Sequence, residues 1–149
     1  MSKHHFRLNG TWKGGLNGEG HISTDNLHSD ISAPHEMGGL GKGTNPEEML
    51  LGASATCYMI TLGVILSNRK LPVQNLELSS EAVVSDEVGL VFEKICHYPT
   101  VTLSSITTSE QVELAKNACL RAEKACMISK ALRGNVEITV TPKIVFEGK

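Results

Sequence analysis

Apolar positions in the first forty residues fall among glycines and β-branched residues rather than at helical intervals. Phe6, Leu8, Thr11 and Trp12 precede the turn-like Gly14-Gly15-Leu16-Asn17-Gly18, and His21 to Thr24 resume an extended pattern, which predicts a hairpin. Four glycines in Met37-Gly38-Gly39-Leu40-Gly41-Lys42-Gly43 leave that stretch too free for a regular element. The spacing then changes. Thr44-Asn45-Pro46-Glu47-Glu48 reads as a helix start, with Asn45 as cap, Pro46 preorganised for the first helical position and two glutamates at the positive end of the dipole. Leu50, Ala53, Cys57, Ile60 and Val64 follow at intervals of three and four. They predict one core-facing stripe with Cys57 at its middle, in a helix that ends near Leu71-Pro72.

From Val73 the period shortens to two. Leu76, Leu78 and Ser80 alternate with Glu77 and Ser79, so strands are expected over Val73 to Val84 and Gly89 to Tyr98, around the polar turn Ser85-Asp86-Glu87. A second helix is expected from a cap at Thr108 or Ser109 to Arg133-Gly134, with Val112, Ala115, Cys119, Ala122 and Cys126 on one face. Val136 to Thr141 alternates again and closes the chain as a strand. The order of elements implies an α+β fold, antiparallel sheet packed on two long helices, in a single domain over residues 1–149. No period of a repeat protein is visible.

Composition narrows the class. The 149 residues carry 14 basic and 16 acidic side chains, for a net charge of −2, and 40% are hydrophobic. That balance fits a globular domain and argues against disorder or nucleic-acid binding. Met49 to Asn68 holds no charge and is long enough to cross a bilayer. Ser54, Thr56, Thr61, Ser67 and Asn68 within it, and the lack of an aromatic belt, favour a core helix instead. Four cysteines are too few for a disulfide-stapled secreted domain, and MSKHHFRLNG is no signal sequence, so a reducing cytoplasm is the expectation.

Periodicity by itself makes each cysteine a small core hydrophobe, and Cys96 and Cys119 are read so. Cys57 and Cys126 lie on stripes that face the same core, and crossing helices would bring them within reach of each other. Zinc is disfavoured: there is no Cys-x₂-Cys pair, His4-His5 are adjacent, and His21, His28 and His35 fall seven apart without a nearby cysteine. A serine hydrolase is weaker still, because Gly52-Ala53-Ser54-Ala55-Thr56 lacks the second glycine of the nucleophile elbow.

Gly43-Thr44-Asn45-Pro46-Glu47-Glu48, with Cys57 nine residues on in Ala53-Ser54-Ala55-Thr56-Cys57, resembles the OsmC/Ohr family of osmotically inducible and organic hydroperoxide resistance proteins. Ala125-Cys126-Met127-Ile128-Ser129-Lys130-Ala131-Leu132 is similar to the family's C-P-x-S segment, and Ala33 to Gly39 and Arg133 to Val136 match its neighbouring loops. The resemblance covers essentially the whole chain in order. It implies an intertwined α+β homodimer with two sites at the subunit interface and thiol-dependent reduction of organic hydroperoxides. Cys57 would be the peroxidatic cysteine, Cys126 the resolving one and Glu47 the helix-start carboxylate of the site. A lipoyl-type or small-molecule dithiol would be the reductant, with no cofactor, metal, membrane or nucleic acid involved.

Two departures stand out. The family arginine that holds the thiolate has no counterpart: Gly14-Gly15-Leu16 and Met37 occupy its two known places, and Arg7, Arg69, Arg121 and Arg133 are the only arginines. Met127 replaces the family's proline, which predicts a helix running straight through Cys126. The missing arginine keeps a rival in view, a non-catalytic binder of small apolar ligands or a slow redox sensor in the same interface pocket.

Overall fold

A computed structural model describes every residue from Met1 to Lys149. The chain divides into two compact units, Met1–Leu50 and Leu51–Lys149.

In the first unit, β1 (Asn9–Lys13), β2 (Glu19–Ser23) and β3 (His28–Ile31) form an antiparallel meander. β1 and β2 are the expected hairpin. β3 lies in a stretch that reads as loop, since His-Ser-Asp-Ile offers one apolar residue and no periodicity. A Cβ on Gly43, whose φ is 69°, would strike the Asp30 carbonyl, so glycine is required where the loop passes β3. The helix α1 (Pro46–Asn68) begins here. Asn45 caps it as expected, its Oδ1 accepting the Glu48 amide at 2.9 Å.

The second unit holds the main core. β4 (Val73–Ser85) and β5 (Val91–Leu103) pair antiparallel over most of their length. β6 (Glu137–Val140) runs parallel to the first half of β5, and β7 (Lys143–Phe146) runs parallel to the second half. Pro99, with no N–H to give, sits where β5 changes partner. α2 (Ser109–Ala125) starts at a capping box formed by Thr108 and Gln111, and the short α3 (Met127–Leu132) follows directly. Tyr58, Leu62 and Leu66 of α1, Val101 and Leu103 of β5, and Ala115, Ala118, Cys119 and Ala122 of α2 make one buried cluster. The small side chains of α2 bring its backbone close enough for the Tyr58 hydroxyl to donate to the Cys119 carbonyl at 2.9 Å. The fold is α+β, as the order of elements implies; its first sheet is antiparallel, and its second adds the parallel β6 and β7 to the antiparallel pair β4–β5.

Two expectations are corrected. α1 buries Ser54, Tyr58, Leu62 and Leu66, not the stripe through Leu50, Ala53, Cys57, Ile60 and Val64. Ile60 and Val64 are 69% and 54% exposed, and Cys57 lies beside the core face rather than at its centre. A helix that is apolar nearly all round leaves periodicity nothing to choose a face by. Length and composition would allow α1 to cross a bilayer, while its buried side packs into the core described above. The second helix also does not run through Cys126. Its backbone is extended there, at φ −60° and ψ 126°, and ends α2 while opening α3.

Candidate active site

The break at Cys126 makes the site. Leaving the helical path lets the Cys126 sulfur act as the cap of α3, where it accepts the Ser129 amide at 3.5 Å. It also aims the thiol at α1. Cys126 Sγ lies 2.7 Å from Cys57 Sγ and donates its proton to it, although 69 residues separate the two in sequence. A disulfide needs about 2.05 Å, so only a small closure would be needed to join them once one sulfur has been oxidised. Both cysteines are free thiols, Cys126 fully buried and Cys57 partly open.

Hydrogen bonding decides which sulfur ionises first. Burial pushes the Cys57 thiol up, but the Cys126 thiol, the Ile128 and Met127 amides at the start of α3, and Thr61 together hold it below the ordinary value of 9.0. The Thr61 hydroxyl donates to the Cys57 carbonyl at 2.8 Å, and as a free rotor it can turn to the sulfur once that is charged. These partners are all uncharged. Cys126 moves the other way: burial and its donation to Cys57 raise it, against a smaller pull from Ser129 and the Ile128 amide. Cys57 is therefore the more acidic of the two thiols, and Cys126 the one that keeps its proton longer.

The other sequence candidates lie elsewhere. Glu47 stands in the first turn of α1, with Oε2 buried and unpartnered, and bonds to neither sulfur. Cys119 is deep in the core, where burial pushes its thiol up to about 11. Cys96 lies on β5, opposite Glu81. His21 pairs with Asp30 at 3.0 Å. No group of three or more His, Cys, Asp or Glu side chains is arranged to hold a metal ion.

Two further polar features have no role in the sequence reading, although Ser129 lies on the serine of the C-P-x-S match. Ser129 is 1% exposed and its Oγ has no partner. His97 is fully buried, with Nδ1 2.7 Å from Ser80 Oγ and Nε2 3.1 Å from Ser54 Oγ, and its ring stacks on Tyr58 at 4.8 Å. Burial holds this imidazole below its ordinary pKa, so it is neutral and uses one nitrogen as donor and the other as acceptor. Its position in the buried alternation Ile95, His97, Pro99, Val101, Leu103 was the available signal.

Comparison with known proteins shows the family and the fold. The sequence profile of the OsmC-like protein family matches residues 39–141. The "Uncharacterized protein YmaD" of Bacillus subtilis (strain 168) is 43% identical over 150 residues, covering 100% of both chains. An "Organic hydroperoxide resistance protein-like" protein of Staphylococcus aureus (strain MSSA476) is 25% identical, over 95% of this chain and 97% of its own. Among solved structures, an organic hydroperoxide resistance protein of Legionella pneumophila superposes with a TM-score of 0.73 at 23% identity, covering 95% of this chain and 99% of that one.

Proposed function

Since the chain belongs to the OsmC-like protein family, we propose that it is a thiol-dependent peroxidase for organic hydroperoxides, working through Cys57 and Cys126. The approach of the two sulfurs to 2.7 Å carries the reading. The Cys57 thiolate attacks the outer peroxide oxygen, the O–O bond breaks, and the alkoxide leaves as alcohol after taking a proton. The resulting sulfenic acid condenses with Cys126 to a disulfide and water. A dithiol of lipoyl or small-molecule type then exchanges with that disulfide and restores both thiols.

Organic rather than hydrogen peroxide suits the setting of Cys57. Ala53 and Ile60 flank it one turn away on either side, and burying alkyl carbon contributes about 0.8 kcal/mol per methylene. The open face of α1, with Ile60 and Val64, also supports a homodimer in which a second copy covers that apolar surface. Because no charged group bonds to Cys57, the amides of α3 do the anion-holding that arginine does elsewhere in the family. The rival, a slow sensor or binder, draws on that same lack of a cation.

The test is turnover of cumene hydroperoxide with dihydrolipoamide or dithiothreitol. Cys57→Ser should fall to background. Cys126→Ser should consume one equivalent of peroxide and stop. Equal rates in all three proteins would end the peroxidase reading, and consumption only over hours would favour the sensor.

A further inference from the structure

The reaction needs Cys126 twice, in opposite states. At rest it is the protonated partner that donates to the Cys57 sulfur. Once Cys57 carries oxygen, Cys126 must lose its proton and attack, and a fully buried thiolate is costly without donors. The donors within reach are the Ile128 amide and two groups of Ser129. The Ser129 amide lies 3.5 Å from Cys126 Sγ, and Ser129 occupies the third position of α3, from which a side chain folds back over the cap residue.

The Ser129 hydroxyl is buried and satisfied by nothing in the resting protein, although buried polar groups are nearly always paired. Ser129 is also one of the residues lining a cavity of about 300 Å³, with Glu123, Arg133, Val136, Glu137 and Ile138. Glu123 and Arg133 pair across it at 3.5 Å. A cavity of that size and polarity holds water, which gives a proton somewhere to go.

We infer that Ser129 is a catalytic residue of the second half-reaction: its hydroxyl turns to the Cys126 sulfur as that sulfur ionises and stabilises the attacking thiolate. In that step the Cys126 sulfur supplies the electron pair of the new S–S bond, the S–O bond of the Cys57 sulfenic acid breaks, and hydroxide leaves. The proton lost from Cys126 ends on that hydroxide as water, so no further reactant is needed. Toward the ionised sulfur, the Ser129 hydroxyl pulls the Cys126 thiol down against its burial. The charged groups facing this corner are Cys57 from α1, Glu123 from α2, Arg133 after α3 and Glu137 from β6. The role rests on the peroxidase reading, but the nucleophilicity it assigns to Cys126 can be measured without peroxide.

In a Cys96→Ser background, an aromatic disulfide reagent caps Cys57, and attack by Cys126 then releases a second coloured nitrothiobenzoate. Ser129→Ala should slow that second release at least about tenfold and move its pH midpoint upward, as loss of a hydrogen bond to a charged group requires. Ser129→Thr should restore both. Melting of Ser129→Ala should be unchanged or higher, because no resting hydrogen bond is lost. Equal rates and midpoints in all three proteins overturn the assignment, and so does a slow Ser129→Ala that threonine fails to rescue. Failure of the peroxidase reading would appear separately, as no sulfenic acid on Cys57 of the parent chain after cumene hydroperoxide.

Discussion

Two buried polar islands flank α1, and they differ in how they are closed. Around His97 both ring nitrogens meet serine hydroxyls and the ring stacks on Tyr58. Around Cys126 the hydrogen bonds do not close: its thiol donates to the Cys57 sulfur, and the Ser129 hydroxyl is left over. A satisfied island rigidifies a core, whereas an unsatisfied one keeps groups that can change partner. The same contrast separates Cys119 within α2 from Cys126 at its end. Cys119, inside an unbroken helix, is inert with its thiol pushed up to about 11, while Cys126, seven residues on, is turned toward a reaction by the helix break.

The sharpest way to break the comparison is to exchange consequences. Cys57→Ser should abolish peroxide turnover, while Cys119→Ala should leave turnover within about twofold and cost about 1–2 kcal/mol in urea unfolding. Turnover lost in Cys119→Ala at full folding would refute the division. His97→Leu should act the other way. It leaves Ser54 and Ser80 without their partner and should cost about 2–4 kcal/mol, with turnover per folded molecule retained.

Acid should reach the two islands differently. The folded protein holds His97 neutral, with its pKa lowered from 6.5, whereas the unfolded chain protonates it near 6.5. The unfolded state therefore binds more protons in the window below 6.5. Its contribution to stability is complete above that pH and declines as pH falls toward the depressed native value, by at most about 1.4 kcal/mol per pH unit. Urea titrations from pH 7 to 5 should show that decline, and His97→Gln should flatten it. A decline of equal slope in the variant would assign it to other groups.

The smallest effect is the most diagnostic for the cysteine site. Cys126 has the extended backbone that a following proline requires, so Met127→Pro should stabilise by about 0.5–1 kcal/mol. It also removes an amide that bonds to Cys57, so the pH midpoint for alkylation of Cys57 should rise. Stabilisation with an unmoved midpoint would mean that the Met127 amide does not hold the thiolate.

Much of this was legible in the residues, and the exceptions share a cause. Asn45-Pro46 and Thr108 with Gln111 mark their helix starts because capping is local. Strand β4 declares its faces by alternation. The buried side of α1 was misread because nearly every position there is apolar. The break at Cys126 is invisible because Met127 and Ile128 are sound helix formers, and what holds it is tertiary, a sulfur capping Ser129 and meeting Cys57. Cys57 and Cys126 stand out from motifs, and Ser129 falls on the serine of the C-P-x-S match without a role read for it, while no motif marks His97, because its part lies in contacts between distant segments.

The central claim is that the two facing sulfurs are one redox unit. Reduced protein treated with one equivalent of cumene hydroperoxide should lose two hydrogen atoms in intact mass, with Cys57 and Cys126 recovered as a single disulfide-linked peptide pair and Cys96 and Cys119 still free. An unchanged mass, or a linkage that involves Cys96 or Cys119 instead, would contradict it.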